Sequence, residues 1–215
     1  MLEFKNVSVR LSPERLSPAF SLAMDGGEVA CLSGGAGTGK SLVLMAILGL
    51  VPLASGYITI DGELVTPGSS AYFRRLIAYV PQRMPSVRMK VGQLFGELIG
   101  LSVHAGDDLD LLALRKRWSA LGLPADLDER WTTDVDAPLL RTAMLAAVPL
   151  LHKPIVLVDD PAPQVVAHGA LQELAASGVE VLFATRQDGL PTVTFAFALQ
   201  MKPRGTTMSS RPIPT

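Results

Sequence analysis

A run of small residues ahead of a lysine and a serine is the part of this 215-residue chain best suited to chemistry. It consists of Gly34, Gly35, Ala36, Gly37, Thr38, Gly39, Lys40 and Ser41. Glycines let successive backbone N–H groups turn inward around a phosphate, and the N-terminus of a following helix adds positive potential. In such a loop the lysine reaches the β- and γ-phosphates, and the serine hydroxyl is a ligand for Mg²⁺. The pattern therefore predicts a loop that binds the phosphates of a nucleotide, called the phosphate loop (residues 34–41) below.

Two adjacent carboxylates after an apolar segment supply a second part of such a site. Residues 155–158 are Ile, Val, Leu and Val, and they lead directly into Asp159 and Asp160. Acidic residues at the end of a buried strand are unfavourable unless something cationic lies nearby. We therefore predict that Asp159 holds Mg²⁺ through water. The alternative is an ordinary aspartate in a turn after a strand.

The elements that must position these groups alternate between strands and helices. Apolar and β-branched runs predict strands, and apolar residues at helical spacing predict helices. The predicted strands cover residues 2–11, 29–33, 56–62, 76–80, 155–158, 179–184 and 193–199. The predicted helices cover residues 40–50, 91–101, 109–121, 138–151 and 164–176. This order predicts an α/β fold with an antiparallel or edge strand near the N-terminus and a helical insertion.

We expect one domain over residues 1–200. In this interpretation residues 1–89 and 152–200 form the α/β core, and residues 90–151 form the helical subdomain. Residues 201–215 are rich in Pro, Ser and Thr, which predicts a flexible tail.

The composition excludes several classes of protein. The chain is 48% hydrophobic and 18% charged with a net charge of −1, which excludes a disordered polyelectrolyte and favours no nucleic-acid partner. Cys31 is the only cysteine, so a disulfide scaffold and a cysteine metal cluster are excluded. The mean hydropathy of +0.33 is high, yet no apolar run reaches the ~20 residues that a bilayer requires. We therefore expect a cytoplasmic protein with a large core or an apolar partner surface.

Taken together, these residues resemble the ATP-binding subunit of an ABC transporter. The resemblance implies an α/β fold of the P-loop NTPase type, with a mixed, mainly parallel central sheet, an antiparallel β portion near the N-terminus and a helical insertion subdomain. The resemblance rests on the order of five segments, which are residues 34–41, 56–62, 74–82, 151–161 and 181–185. It implies that two such subunits, in a homodimer or a heterodimer, close face to face around ATP and Mg²⁺, with Gln82 contacting the metal. It also implies a peripheral position on the cytoplasmic face of a membrane, with transmembrane permease subunits docking between Gln82 and Phe95. Packing of that apolar, Met-bearing stretch into the chain's own core is the alternative.

The chain departs from the family where a partner's nucleotide would be clamped. Counting back from Asp159 without gaps places residues 136–140 at the signature motif, which in the family is Leu-Ser-Gly-Gly-Gln. Asp136 would repel a phosphate there, and Pro138 has no N–H to donate. The two residues are instead typical of a helix start, with Asp136 as the N-cap and Pro138 in the first turn.

Further departures fall on residues that the family uses for hydrolysis. Asp160 occupies the position of the catalytic glutamate and is one methylene shorter, and Arg186 occupies that of the switch histidine. Arg186 cannot accept a proton from water, although it can stabilise a bound γ-phosphate. Leu11 stands where an aromatic residue usually stacks on adenine, and residues 162–166 lack the aspartate of the D-loop. These departures predict nucleotide binding with weak or absent hydrolysis.

Two functions remain open at this stage. One is a motor subunit that couples ATP binding, and slow hydrolysis, to conformational change in membrane partners. The other is a degenerate cassette that binds ATP as a regulatory or structural subunit, paired with an intact cassette that supplies the missing signature motif. A P-loop kinase or GTPase is disfavoured, because no base-reading motif or acceptor site is evident in the sequence.

Overall fold

Strands and helices alternate along the part of the chain that the computed structural model describes, which comprises residues 1–84, 86–99, 110–160, 164–186 and 197–200. The strands are β1 (Leu2–Ser8), β2 (Arg10–Ser12), β3 (Arg15–Leu16), β4 (Phe20–Met24), β5 (Val29–Ser33), β6 (Ser55–Ile60), β7 (Glu63–Leu64), β8 (Ile77–Val80), β9 (Ile155–Asp159), β10 (Glu180–Thr185) and β11 (Phe197–Gln200). The α-helices are α1 (Lys40–Ile47), α2 (Ser70–Phe73), α3 (Val91–Ile99), α4 (Leu111–Ala120), α5 (Ala137–Ala147) and α6 (Gln164–Ala176).

A parallel sheet with the strand order β11-β5-β10-β9-β8 forms the centre of the fold. Every residue of β9 and β10 is buried, because α1 covers one face of the sheet while α5 and α6 cover the other. Strands covered on both faces are apolar throughout, as residues 155–158 are. The predicted buried parallel strand is confirmed, and so is the α/β fold class. Cys31 lies in the same core, where burial raises the pKa of its thiol to about 12.

An antiparallel sheet near the N-terminus packs on the other side of α1, as the sequence predicts. Its strand order is β4-β1-β6-β7, and β6 and β7 form a hairpin. Asp61 and Gly62 make the turn of that hairpin with φ angles of 52° and 81°, the left-handed values that a tight hairpin needs. The backbone N–H of Leu2 in β1 donates to Oε2 of the buried Glu180 in β10 over 2.8 Å, which joins the two sheets directly.

The helices between β8 and β9 have a core of their own. Its centre is Trp118 of α4, whose ring meets Phe95 of α3 edge-on and whose Nε1 donates to the carbonyl of Ala143 in α5 over 3.1 Å. Val91, Leu94 and Phe95 are all buried in this core. Much of the apolar stretch between Gln82 and Phe95 therefore packs within the chain itself.

Several predicted boundaries are wrong in detail, for local reasons. The expected strand over residues 2–11 is interrupted at Val9, whose N–H donates to Oγ of Ser17 and whose carbonyl accepts from the N–H of Ser17. Within β1 itself, Asn6 has a φ of 49° and the register shifts between Phe4 and Val7. Helix α1 ends at Ile47 rather than at residue 50, because Gly49 has a φ of 67° and starts a typical glycine C-cap. Pro149 converts residues 148–151 into a 3₁₀ turn.

Some predictions fall outside the described residues. These are the end of α3 at residue 101, the start of α4 at residue 109, the first residues of the strand at 193–199 and the tail at 201–215. Within the described ranges, none of the helices combines the length and the apolar character that a membrane crossing requires.

Candidate functional site

Four strands of the parallel sheet end beside one another and deliver the predicted site residues to one edge. The phosphate loop begins at the end of β5, Gln82 follows β8, Asp160 follows β9 and Arg186 follows β10. Asp159 lies opposite Ala184 and Thr185 opposite Ser33, so these ends are in register. We call this line of C-terminal strand ends the carboxyl edge, where ligands of parallel α/β sheets generally bind.

A cavity of about 230 Å³ opens at the carboxyl edge. It is lined by Leu11, Ala36, Gly37, Thr38, Gly39, Lys40, Ser41, Leu42, Gln82, Asp159, Asp160, Ala184, Thr185 and Arg186. The structure thus brings together nearly all of the predicted site residues. Gly34 and Gly35 lie at the start of the phosphate loop, beyond the cavity wall. Residues 136–140 do not line the cavity.

The glycines of the phosphate loop occupy backbone conformations that other residues rarely adopt. Gly34, Gly37 and Gly39 have φ angles of 146°, 70° and 98°. A Cβ atom on Gly39 would lie 2.7 Å from Cδ2 of Leu11 and 2.9 Å from Cγ2 of Val9. Leu11 therefore packs directly against the loop, and α1 begins at the next residue, Lys40. The loop and its helix have the form that the motif predicts.

Lys40 is folded into the phosphate loop and is only 8% exposed. Its Nζ donates to the carbonyl oxygens of Gly34 over 2.6 Å and Gly35 over 2.8 Å, and to Oγ1 of Thr38 over 3.3 Å. Burial, and secondarily the nearby Arg186, lowers the pKa of Lys40. The ammonium group is therefore held by acceptors that phosphate oxygens can replace.

Asp159 is a buried carboxylate at the end of β9, with 5% exposure. Burial raises its pKa, while a hydrogen bond from the Ser41 hydroxyl acts in the opposite direction. A desolvated carboxylate is stabilised by a bound cation. Oxygen ligands from Ser41, Asp159 and the Gln82 carboxamide suit Mg²⁺, which prefers hard oxygen donors. The donor set at this position therefore fits the metal that the sequence analysis predicts.

Asp160 is held by two neighbours at the mouth of the cavity. Its backbone has a φ of 57°, and its N–H donates to the carbonyl of Ala184 over 2.8 Å. Its Oδ2 accepts a hydrogen bond of 2.8 Å from Nε2 of Gln82 and lies 3.9 Å from Nε of Arg186. Asp160 and Arg186, which were singled out separately in the sequence, thus form a weak ion pair with Gln82 as a third member.

The N-terminus of α5 has the cap that the sequence predicts. Oδ1 of Asp136 accepts a hydrogen bond of 2.7 Å from the backbone N–H of Leu139, and Pro138 lies in the first turn. Asp136 and Pro138 are exposed, whereas Leu140 is buried. A carboxylate therefore occupies the helix end that would otherwise attract an anion.

Two arginines contact the site in ways that the sequence did not indicate. Nη2 of Arg15 donates to the carbonyl of Gly37 over 3.0 Å, and Nη1 of Arg141 donates to that of Gln82 over 3.2 Å. Each contact joins residues far apart in the chain. No spacing or motif marks either arginine, so only the tertiary structure can reveal them.

A second, mainly apolar cavity of about 320 Å³ lies between β8 and the helices beside it. We call it the apolar cavity; its walls include Leu48, Tyr79, Phe95, Leu98, Met144 and Leu151, together with Arg74 and Lys153. Among the described residues from Gln82 to Phe95, only Phe95 lines it.

Comparison with known proteins identifies the family to which the sequence is similar. A family model described as ABC transporter matches residues 18–163, which is more than half of the chain. The zinc import ATP-binding protein ZnuC of Ruegeria pomeroyi is 28% identical over 184 residues, covering 86% of this chain and 63% of that protein. The ABC-type transporter atr1 of Mycosarcoma maydis is 27% identical over 182 residues, covering 77% of this chain and 13% of that protein. The chain thus spans less than two thirds of the length of either relative.

Solved structures show the same fold at low sequence identity. The structure of cbiO1 from Clostridium perfringens, part of the ABC transporter complex cbiONQ, has a TM-score of 0.72 at 16% identity and covers 96% of this chain and 86% of that chain. A bacterial Atm1-family ABC exporter with ATP bound has a TM-score of 0.71 at 16% identity and covers 94% of this chain and 37% of that chain.

Proposed function

Because this chain belongs to the ABC transporter family, we propose that it is an ATP-binding subunit whose nucleotide site is the cavity at the carboxyl edge. The family's cassettes bind ATP, typically with Mg²⁺, and they dimerise and act with membrane subunits. The observation that carries the proposal is the meeting of Lys40, Ser41 and Asp159 in one cavity at the end of a phosphate loop.

Nucleotide binding follows from groups that the chain already presents. Lys40 exchanges its bonds to the carbonyls of Gly34 and Gly35 for bonds to phosphate oxygens, while loop N–H groups donate to the same phosphates. Leu11 offers an apolar contact to the base. Ser41, Asp159 and Gln82 would hold Mg²⁺, which neutralises charge on the β- and γ-phosphates when bound.

Slow hydrolysis follows from the arrangement around Asp160. The carboxylate that would act as the base is engaged by Gln82 and lies near Arg186, and Arg186 cannot accept a proton. Of the two functions left open by the sequence, these contacts favour a subunit that acts chiefly by binding ATP. Hydrolysis in the assembly then depends on an intact partner cassette.

The partners in this proposal are a second ATP-binding subunit and transmembrane permease subunits. The apolar cavity supports the second part, since it lies between β8 and the helical region and has few polar walls. A permease segment docked there would place the chain on the cytoplasmic face of the membrane.

The binding proposal is tested by titrating the full chain with ATP and Mg²⁺ in a calorimeter. Lys40→Met should weaken binding about 100-fold, because charge-assisted hydrogen bonds to phosphate are lost. Lys116→Met is the matched control, since Lys116 is exposed on α4 and should leave binding unchanged. Equal affinity of the wild type and Lys40→Met would contradict the proposal.

The hydrolysis proposal needs a separate measurement. The steady-state ATPase rate of the purified transporter assembly should be little changed by Asp160→Asn, because the site built on this chain contributes little turnover. A strong fall in the rate on this substitution would show instead that Asp160 is an effective base and that the chain is a motor subunit.

A further inference from the structure

Gln82 is held at its backbone and at its side chain by residues from two different parts of the fold. Its Nε2 donates to Oδ2 of Asp160 over 2.8 Å at the carboxyl edge. Its carbonyl oxygen accepts a hydrogen bond of 3.2 Å from Nη1 of Arg141. Arg141 belongs to α5, the helix that Asp136 caps at the signature position. A continuous polar path therefore runs from α5 through Gln82 to Asp160.

The surroundings of Arg141 indicate that its contact with Gln82 is the reason for an arginine at this position. Its Nε is buried and has no hydrogen-bond partner among the described residues. A buried, unpaired N–H group is unfavourable, and an apolar side chain of similar length, such as methionine, would avoid it. Among the described residues, what the guanidinium adds in return is the bond to the Gln82 carbonyl.

The carboxamide of Gln82 gives that bond a consequence for the site. Asp160 only accepts hydrogen bonds when ionised, so the NH₂ group of Gln82 must face it. The Oε1 atom of the same carboxamide is then the atom that remains for a metal ligand. With its backbone fixed by Arg141 and its NH₂ group fixed by Asp160, the side chain of Gln82 is left with little freedom.

We infer that Arg141 is a positioning residue for Mg²⁺-dependent nucleotide binding, acting on the site through Gln82. The inference rests on the proposed function, because it takes the cavity at the carboxyl edge as the nucleotide site. A partner that binds at the Asp136 end of α5 and displaces this helix would change the Arg141–Gln82 bond. It would thereby change the position of Oε1 of Gln82, the atom available to Mg²⁺.

A double-mutant cycle in the full chain tests the inference. The affinity for ATP is measured with and without Mg²⁺ for the wild type, Arg141→Met, Gln82→Ala and the double variant. Arg141→Met should weaken binding about threefold to tenfold with Mg²⁺ and leave it unchanged without the metal. In the Gln82→Ala background, Arg141→Met should have no further effect, because the side chain through which it acts is gone.

Arg117→Met is the matched control. Arg117 lies on α4, and its Nε donates over 3.0 Å to the carbonyl of Ala146, which belongs to α5 as Arg141 does. No hydrogen bond joins Arg117 to Gln82 among the described residues. Arg117→Met should leave Mg²⁺-dependent affinity unchanged, whereas an equal loss in the two variants would reduce Arg141 to a structural role and overturn the inference. An Arg141→Met effect of the same size in both Gln82 backgrounds would overturn it as well.

A readout without nucleotide separates this inference from the proposed function. If the wild type does not bind ATP, the proposed function fails, and the NMR chemical shift of the Gln82 carbonyl carbon decides about Arg141. Arg141→Met should move this resonance in the unliganded chain, because the carbonyl loses a hydrogen-bond donor, and Arg117→Met should not. An unchanged carbonyl resonance in Arg141→Met would overturn the role of Arg141 in holding Gln82.

Discussion

Two buried charges, Lys40 and Asp159, set the electrostatics of the site at the scale of single residues. Burial lowers the pKa of Lys40 and raises the pKa of Asp159, so the charged form of each is disfavoured. In the unliganded chain Lys40 is compensated by loop carbonyls and Asp159 by the Ser41 hydroxyl. A phosphate beside Lys40 and a cation beside Asp159 would relieve both penalties together.

We expect Asp159→Asn to raise the melting temperature of the unliganded chain at neutral pH by a few degrees. The folded-state pKa of Asp159 is raised, so the folded chain binds more protons than the unfolded chain between the two pKa values. The free energy of unfolding therefore falls as the pH rises through that window, and it stays lower at neutral pH. Asparagine removes this penalty. Thermal unfolding followed from acid to neutral pH should show an advantage for the variant that grows through the window.

The same variant should lose the stabilisation that ATP and Mg²⁺ give the wild type, because the proposed metal ligand is gone. Asp25→Asn is the control, since Asp25 is exposed and lies outside the cavity. A variant that is less stable than the wild type at neutral pH, or that keeps its full response to ATP and Mg²⁺, would contradict the role assigned to Asp159.

The types of the site residues could be predicted from the sequence, but their contacts could not. The order glycine loop, Lys40, Ser41 and the pair Asp159 and Asp160 indicates phosphate chemistry by itself. The bond from Gln82 to Asp160 depends on how β8 and β9 align and on the left-handed backbone of Asp160. Neither leaves a periodic or compositional signal, because both arise from tertiary packing.

At the scale of elements, the N-terminus of α5 shows how one residue can preserve a helix while changing what its end can bind. Asp136→Ala should destabilise the chain by about 1 kcal/mol, because the backbone N–H of Leu139 loses its acceptor. Urea unfolding at equilibrium measures the change. Asp136→Ser keeps a capping oxygen and should lie close to the wild type, whereas equal losses in both variants would mean that the cap is not the source of the effect.

The hydrogen bond from Leu2 to Glu180, which joins the two sheets, is a second feature at this scale. Glu180→Ala should destabilise the chain by about 1–3 kcal/mol, because the N–H of Leu2 would be left without a partner in a buried position. Glu173→Ala removes an exposed carboxylate that pairs with Arg117, and it should change stability by less than about 1 kcal/mol. The free energies of unfolding of the two variants in urea distinguish the buried Leu2–Glu180 hydrogen bond from the surface Arg117–Glu173 ion pair.

Elements with one dominant pattern could be predicted well, and elements broken by local backbone geometry could not. Residues 155–158 are uniformly apolar, and β9 is buried as that run predicts. The apolar positions of residues 2–11 change phase between Phe4 and Val7, where the register of β1 also shifts, but they continue through Val9 and so do not reveal the break between β1 and β2. The Asp61-Gly62 turn was predictable because its residue types match the required φ angles.

At the scale of the whole molecule, the high proportion of apolar residues is explained mainly by three cores that the described residues form. One core lies between the antiparallel sheet, α1 and one face of the parallel sheet, and a second lies under α5 and α6 on the opposite face. The third joins α3, α4 and α5. The apolar cavity beside β8 remains as a concave surface of low polarity, which fits the proposed contact with a membrane subunit.

At the same scale, we expect the segment at the start of α5 to limit the pairing of two copies, and substituting the family motif into that segment tests this expectation. We expect the wild-type chain to remain monomeric in ATP and Mg²⁺. Asp136 would repel the phosphates bound to a second copy, and Pro138 has no backbone N–H to donate to them. A variant with Asp136→Leu, Ala137→Ser, Pro138→Gly and Leu139→Gly carries the hydroxyl and backbone N–H groups of the family motif. It should dimerise when ATP and Mg²⁺ are added, as measured by light scattering after size exclusion.

Dependence on the phosphate loop distinguishes an ATP-bridged dimer from simple association. Adding Lys40→Met to the four substitutions should abolish the dimer, because the nucleotide is then held too weakly to bridge two chains. The melting temperature of the variant shows whether α5 survives the loss of its cap, and the buried Leu140 is kept for that reason. A wild-type chain that dimerises with ATP in a Lys40-dependent manner would show that residues 136–140 are no barrier to a homodimer. A monomeric wild type beside a dimeric variant would favour a heterodimer, in which an intact cassette supplies the signature motif to this chain's phosphate loop.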